Sequence, residues 1–333
     1  ETSSNSRESH AMKPSLHAIV AAAVGLALVA RVAVAQQADR WENGARRPDR
    51  VDIYRTIGDV GLTIDVYLPQ GHAAMDRRAA VVFFFGGGWS NGSTRQFAHH
   101  AAYFASRGMV AFAADYRVHG RHQSTIADAV ADAHAAVRWV RANARRLGVD
   151  PDRIASAGGS AGGHLAACVG ILPPSADPND ANDANFSARS DAMLLFNPAL
   201  SLLADDFSTD RADAGRAKFA DRLGAEAEAL SPLEHVRADL PPAILFHGEL
   251  DTAVPIAQAR KFVKRMHEAG NRAELAAYDG EAHGFFNYGR GDGRRFADTL
   301  RRADEFLASL GYVSGPDRVE AYVKSIDAQT GKK

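Results

Sequence analysis

The chain of 333 residues contains a single cysteine, Cys168, so no disulfide within it can form. Cys168 lies in an apolar helical pattern and reads as a small buried hydrophobe, with no local base to make it a nucleophile. An excess of one charge is also missing: 39 Lys and Arg stand against 40 Asp and Glu, a formal net charge of −1. No stripe of basic residues interleaves with aromatics, which excludes a nucleic-acid partner. His99-His100, His119 and His122 have no cysteine or carboxylate spacing around them, so no metal is expected. Glycines 86–88 are not followed by Gly-Lys-Ser or Gly-Lys-Thr, which argues against a phosphate-cradling loop.

Long apolar runs are absent except near the start. Met12-Lys13 precedes an apolar run from Leu16 to Ala30, and Ala33-Val34-Ala35 supplies the small residues of a signal-peptidase site. Residues 1–35 therefore read as an upstream extension and a secretory signal. The mature chain then starts at Gln36 and is exported, to the periplasm or out of the cell. Residues 1–11 precede that methionine and are set aside as a tag, a misread start or an upstream extension. The run is short for a membrane span and Arg31 interrupts its end, so no stable span is expected after cleavage. Residues 36–333 read as one catalytic domain. Their oligomeric state is left open.

Strand and helix patterns alternate along that domain. Residues 51–56 and 63–68 form a hairpin pattern around Gly58-Asp59-Val60-Gly61. The apolar run 79–85 suits a strand buried on both faces. A long helix is expected over 124–147, capped by Ser124, and strands over 153–157, 192–196, 243–246 and 273–277. Such alternation predicts an α/β fold with a mostly parallel sheet and helices on both faces. Residues 173–190 form a loop rich in Pro, Asp and Asn, and 202–235 a polar helical insertion, together a small cap. The last fifteen or so residues read as a loosely attached tail. Asp128 with Asp132, and His134 with Arg138, read as solvated or helix-to-loop contacts.

The stretch Gly158-Gly159-Ser160-Ala161-Gly162 sits between an expected strand and an expected helix. A Gly-x-Ser-x-Gly there reads as a nucleophile elbow, a tight turn that exposes one serine hydroxyl. Serine needs a base, and the base an orienting acid, both on loops that follow parallel strands. Asp251 and His283 stand on two such loops, in the chain order serine, acid, histidine; Glu249 is a rival acid. The peptide N–H groups of Gly87, Gly88 and Ala161 are the candidate oxyanion donors. Trp89 and Phe285 are expected to touch substrate, and His164 to support the nucleophile from beneath.

With these motifs in place the chain resembles the α/β-hydrolase superfamily, and within it the carboxylesterase and acetyl-esterase branch related to hormone-sensitive lipase. The resemblance rests on Phe85-Gly-Gly-Gly-Trp89, Asp115-Tyr116-Arg117, Arg138-Trp139-Val140 with Asn143, Gly158-Gly-Ser-Ala-Gly-Gly163, His247-Gly-Glu-Leu-Asp251 and His283-Gly-Phe-Phe286, spread over about residues 50–310. It implies a serine esterase that needs no cofactor, with Ser160, Asp251 and His283 as the triad. The lack of a long apolar lid segment favours short acyl esters, and for an exported enzyme the resemblance implies plant-polysaccharide-linked esters as substrates. In one place the chain departs from the pattern. The family usually has His before the three glycines, whereas here it is Phe85, which fills space but supplies no hydrogen bond. A serine peptidase of the prolyl-oligopeptidase type, and a non-catalytic binding protein on the same fold, are the alternatives.

Overall fold

The computed structural model describes residues 45–174, 185–206 and 219–330. The chain divides into residues 1–42 and a unit Asn43–Lys333 that carries everything below. The secretory-signal segment, residues 175–184 of the first cap segment and residues 207–218 of the second lie outside the described residues. Among the described residues, no helix is long and apolar enough to cross a membrane.

Strands β1 (Arg50–Ile57) and β2 (Val60–Tyr67) pair as the expected antiparallel hairpin. They are followed by β3 (Arg78–Phe84), β4 (Val110–Ala114), β5 (Val149–Gly159), β6 (Ala192–Phe196), β7 (Ala243–Gly248) and β8 (Ala273–Tyr278). These make one sheet in the order β1-β2-β4-β3-β5-β6-β7-β8. β2 joins β4 antiparallel, and every pair from β4 to β8 is parallel. The main helices are α1 (Ala98–Ser106), α2 (Ile126–Ala142), α3 (Ala161–Ile171), α4 (Ile256–Glu268), α5 (Arg294–Ser309) and α6 (Val319–Thr330). This is the α/β architecture the alternating pattern predicts.

Period-2 alternation decides which side of the sheet each helix covers. Ala80, Val82 and Phe84 of β3 join a buried cluster with residues of α2, α3 and α4. Phe83 faces the opposite way and stacks on Phe97 and Phe104. On that side the fully buried Asp304 of α5 accepts from Arg107 at 2.6 Å and from the Tyr103 hydroxyl at 2.8 Å. The parallel strands also stop in step: Phe84 faces Gly158, Gly159 faces Phe196, and Phe196 faces Phe246. Loops after β3, β5, β6 and β7 therefore leave the sheet from one edge, where residues on separate loops can meet.

Several sequence expectations need correction. Helix α2 starts after Thr125, not Ser124. Asp128 sits at the third helical position and closes a capping box with Thr125, which fixes the start. The helix ends at Ala142, and turns lead from it to Gly148. Of the two readings of Asp132, His134 and Arg138, the solvated one fails, since all three are buried, while helix-to-loop contacts are present: Asp132 is held by Arg117 as well as by Arg55 of β1, and Arg138 donates to Phe186 O at 3.1 Å. In the described part of 202–235 the helical structure is the 3₁₀ turns Ala204–Asp206 and Pro232–His235 and a helical pair at 219–220, which adjoins the undescribed 207–218. Side chains satisfy the backbone here: Gln258 accepts the Leu200 and Ser201 N–H groups, and Ser231 that of Leu202. The expected tail is helix α6, which buries Val319 and Ile326 and donates the Tyr322 hydroxyl to His99 O at 2.7 Å. Val319, Tyr322 and Ile326 fall at helical spacing, a stripe that polar neighbours hide in composition.

Asp65 of β2 is buried, and its Oδ2 has no hydrogen-bond partner. Burial raises its carboxyl from 3.8 to about 6, with Asp115 adding to the rise and Thr94 and Arg95 opposing it. A native value above the unfolded one favours the fold at low pH, and that advantage disappears as pH rises through about 6. Asp65→Asn is expected to stabilise the protein by about 1–3 kcal/mol at pH 8, with the gain vanishing below pH ~4. Chemical denaturation of both proteins at several pH values checks this.

Candidate active site

Ser160 is placed by a backbone turn that few residues tolerate. It caps α3 with φ 56° and ψ −119°, a positive φ at a non-glycine residue. Its N–H donates to Phe196 O at 2.8 Å, and its carbonyl accepts from His164 N at 2.9 Å. The surrounding glycines are required by contact. A Cβ on Gly162 would stand 2.0 Å from Phe84 O and 2.4 Å from Phe85 O, and one on Gly158 would stand 2.2 Å from Gly162 O. A Cβ on Gly159 would meet the Phe286 ring at 2.4 Å. The start of α3 thus rests directly on the end of β3, which brings the serine beside the glycine loop.

Ser160, Asp251 and His283 meet above the sheet edge. His283 Nδ1 lies 2.7 Å from Asp251 Oδ2, and His283 Nε2 lies 2.9 Å from Ser160 Oγ. A carboxylate only accepts, so Nδ1 carries the proton and Nε2 is left to accept from the serine hydroxyl. Asp251 is buried in a ring of donors: Asn197 Nδ2 at 2.8 Å and the N–H groups of Ala253 and Val254, each at 2.9 Å. His247 Nε2 lies 3.4 Å from Asp251 Oδ2 and donates to Val254 O at 2.9 Å. Burial by itself raises the Asp251 carboxyl. Hydrogen bonds from His247, His283 and Val254 N–H outweigh it and hold the group well below the usual carboxylate range. Glu249, the rival acid, is bound to Arg260 at 2.6 and 2.8 Å.

A cavity of about 680 Å³ opens over Ser160 and His283. Gly87 and Gly88 line it, with φ of +126° and +59°. A Cβ on Gly87 would stand 2.1 Å from Asn91 O, so only glycine fits there. Ala161 opens helix α3, whose first-turn N–H groups have no partner within the helix. The rest of the loop is fixed around these groups. Gly86 N–H donates to Gln96 Oε1 at 2.6 Å, and Arg222 donates to Gly88 O at 2.8 Å. Phe85 is fully buried and stacks on Tyr116, ring centroids 4.1 Å apart, while the Tyr116 hydroxyl donates to Phe85 O at 2.7 Å. Phe85 therefore packs where a histidine is usual, and the hydrogen bonding of the loop comes from Gln96 and Tyr116.

Of the two expected substrate contacts, Trp89 lines the cavity and Phe285 does not. Phe285 packs on Tyr278, ring centroids 4.7 Å apart, and its neighbour Phe286 faces the cavity instead. Trp89 Nε1 donates to His164 Nδ1 at 3.3 Å, and His164 Nε2 donates to Leu230 O at 2.7 Å. Burial lowers the His164 pKa to about 4 against the Leu230 hydrogen bond, so it stays neutral beneath the loop. Asn197, Gln96 and Asn287 carry no motif and cannot be picked out from the sequence, whereas His247 opens the motif that ends in Asp251 and its contact with the acid emerges only in the fold. Only the position of Asn197, one residue past the end of β6, marks it.

A BD-FAE family model matches residues 64–266, and a dienelactone hydrolase family model matches residues 227–311. Esterase LipC of Mycobacterium tuberculosis (strain ATCC 25618 / H37Rv) is 31% identical over 199 residues, 54% of this chain and 46% of its own length. The probable carboxylic ester hydrolase LipM of the same strain is 30% identical over 239 residues, 67% of this chain and 52% of its own. The chain thus spans about half the length of these relatives. Esterase 2 of Thermogutta terrifontis, solved with propionate bound, is 48% identical, with a TM-score of 0.75 over 82% of this chain and 96% of that one. The same enzyme has been solved with butyrate bound and after phosphorylation by paraoxon.

The two glycines after Ala161 differ in what surrounds them. A Cβ on Gly163 would come no nearer than 3.0–3.1 Å to Pro198 Cα and Cβ and Gly158 O, whereas at Gly162 two carbonyl oxygens block it at 2.0 and 2.4 Å. Gly162→Ala is expected to cost about 3 kcal/mol or more and Gly163→Ala about 1 kcal/mol, as read by urea denaturation of the two variants beside the parent.

Proposed function

This chain belongs to the BD-FAE family of α/β-hydrolase carboxylesterases, and we propose that it hydrolyses short-acyl carboxylic esters through an acyl-enzyme on Ser160. The observation that carries the proposal is the continuous hydrogen-bonded line from Asp251 through His283 to Ser160 Oγ, at 2.7 and 2.9 Å. His283 Nε2 takes the serine proton as Oγ attacks the ester carbonyl. The carbonyl oxygen becomes an alkoxide, received by the N–H groups of Gly87, Gly88 and Ala161 at the positive end of α3. His283 then returns the proton to the departing alcohol, and water repeats the sequence on the acyl-enzyme. Asp251 holds the imidazole in the required tautomer and stabilises its charged form.

The acyl preference is supported by the walls of the cavity and by the neighbour of known structure. Trp89, Ala199, Val254 and Phe286 give the cavity an apolar side beside the serine, and the Thermogutta enzyme binds propionate and butyrate. Its phosphorylation by paraoxon fits a nucleophile of this kind. A carbohydrate-linked alcohol is the second reading, favoured by the polar side of the same cavity, where Ser93, Gln96, Asn287 and Arg290 stand. Export through the 1–35 leader belongs to the same proposal.

Hydrolysis of p-nitrophenyl esters of increasing acyl length tests this. Rates are expected to be highest from acetate to butyrate, and Ser160→Ala is expected to fall to background on all of them. A preference for long acyl chains counts against the short-acyl assignment, and turnover by Ser160→Ala against the acyl-enzyme. Asp251→Asn is expected to lower kcat about 10⁴-fold by leaving the wrong tautomer. Because the native Asp251 pKa lies below the ordinary 3.8, the stability it adds is fully present above pH ~4 and is lost as pH falls through the native value. The melting-temperature difference between parent and Asp251→Asn should therefore hold steady from pH 5 to 8 and shrink only below pH ~4.

A further inference from the structure

The glycine loop and the histidine loop are far apart in the sheet. One follows β3 and the other β8, with β5, β6 and β7 between them, a separation of about 19 Å at the usual strand spacing. The strand ladder therefore does not set one loop against the other; contacts above the sheet must. Two side-chain amides make that connection. Gly86 N–H donates to Gln96 Oε1 at 2.6 Å, Gln96 Nε2 donates to Asn287 Oδ1 at 3.0 Å, and Asn287 Nδ2 donates to Gly284 O at 2.8 Å. Gly86 adjoins the candidate oxyanion donors, and Gly284 adjoins His283.

The direction of this chain is fixed by its ends. Gly86 N–H only donates and Gly284 C=O only accepts, so turning either amide over would set two donors or two acceptors against each other. Directly beside it, Phe97 stacks on Phe286, ring centroids 5.9 Å apart and planes 16° from parallel. The same two segments are thus joined by an apolar contact and a polar one. Both amides line the cavity over Ser160.

We propose that Gln96 and Asn287 are positioning residues that tie the glycine loop to the histidine loop, so that oxyanion donors and general base are held in one geometry. They take over from side chains the anchoring of the glycine loop that Phe85 cannot supply. The inference rests on the esterase reading for its kinetic test but not for its structural one.

The experiment measures kcat and KM on p-nitrophenyl acetate for Gln96→Ala, Asn287→Ala, the double variant and Gln96→Glu. Each single alanine variant is expected to lose about 10–100-fold in kcat with KM within about 3-fold, as for an interaction realised in the transition state. The double variant should be no worse than the poorer single one, because either loss breaks the same chain. Gln96→Glu still accepts from Gly86 but cannot donate to Asn287, and is expected to behave like the alanine variant. A merely structural role would lower thermal stability with kcat intact. Hydrogen exchange gives a readout without turnover: peptides spanning 85–90 and 283–288 should both exchange faster in each single variant. Unchanged kcat, losses that multiply in the double variant, or faster exchange confined to the mutated side would overturn the proposal. If the parent protein turns over no ester, the esterase reading fails, and the exchange data still decide the coupling.

Discussion

Residue 162 lies so close to the end of β3 that a Cβ there would stand 2.0 and 2.4 Å from the carbonyl oxygens of Phe84 and Phe85. Everything at the candidate site depends on this approach. It sets the first turn of α3 against the strand from which the glycine loop leaves. It thereby puts the Ser160 hydroxyl next to Gly87 and Gly88, although Ser160 and that loop are some seventy residues apart in the chain. The strain of a serine at positive φ is borne because the turn is fixed from both sides. Phe196 O accepts the Ser160 N–H below it, and the helix closes above it through His164. Parallel strands ending in step then bring the acid and the histidine to the same edge.

Electrostatics complete what the backbone begins. Asp251 is taken out of water, which alone would favour its neutral form, yet the donors around it, His247 and His283 foremost, keep it charged. A charged acceptor at Nδ1 leaves His283 Nε2 as the only ring atom free to receive a proton from Ser160. The glycine loop is treated differently. Its conformation is held at the margins by Gln96, Tyr116, Arg222 and, through Trp89, by His164. Such preorganised dipoles stabilise developing charge because they need not reorient as it forms.

Strand and helix placement was legible in the sequence because buried parallel strands are short apolar runs closed by glycine or a polar turn. The run before Gly86 is the clearest case. Ser160 and Asp251 are legible for a related reason, since each follows such a run, whereas His283 follows the half-exposed β8 and is marked by the glycines around it and by chain order. The start of α2 was misplaced by one residue because Ser124 and Thr125 are both acceptable caps, and only the pairing with Asp128 chooses between them. The burial of Asp132 is hidden in the sequence because nothing local announces Arg55, which reaches it from a strand 77 residues away. Phe285 and Phe286 are adjacent and alike, so which of them faces the cavity depends on the loop conformation, not on composition. Gln96 and Asn287 were invisible for a similar reason: their partnership spans 191 residues and neither belongs to a recognisable motif.

The central claim is that Ser160 is the nucleophile, activated by the Asp251–His283 pair. The most direct measurement is to treat the protein with paraoxon, locate any covalent phosphoryl group by peptide mass spectrometry, and follow p-nitrophenol release. One adduct per chain, on Ser160, with ester turnover lost in step, is the predicted result. An adduct on another residue that accounts for the loss of turnover, or ester turnover that persists with Ser160 fully phosphorylated, would contradict the account.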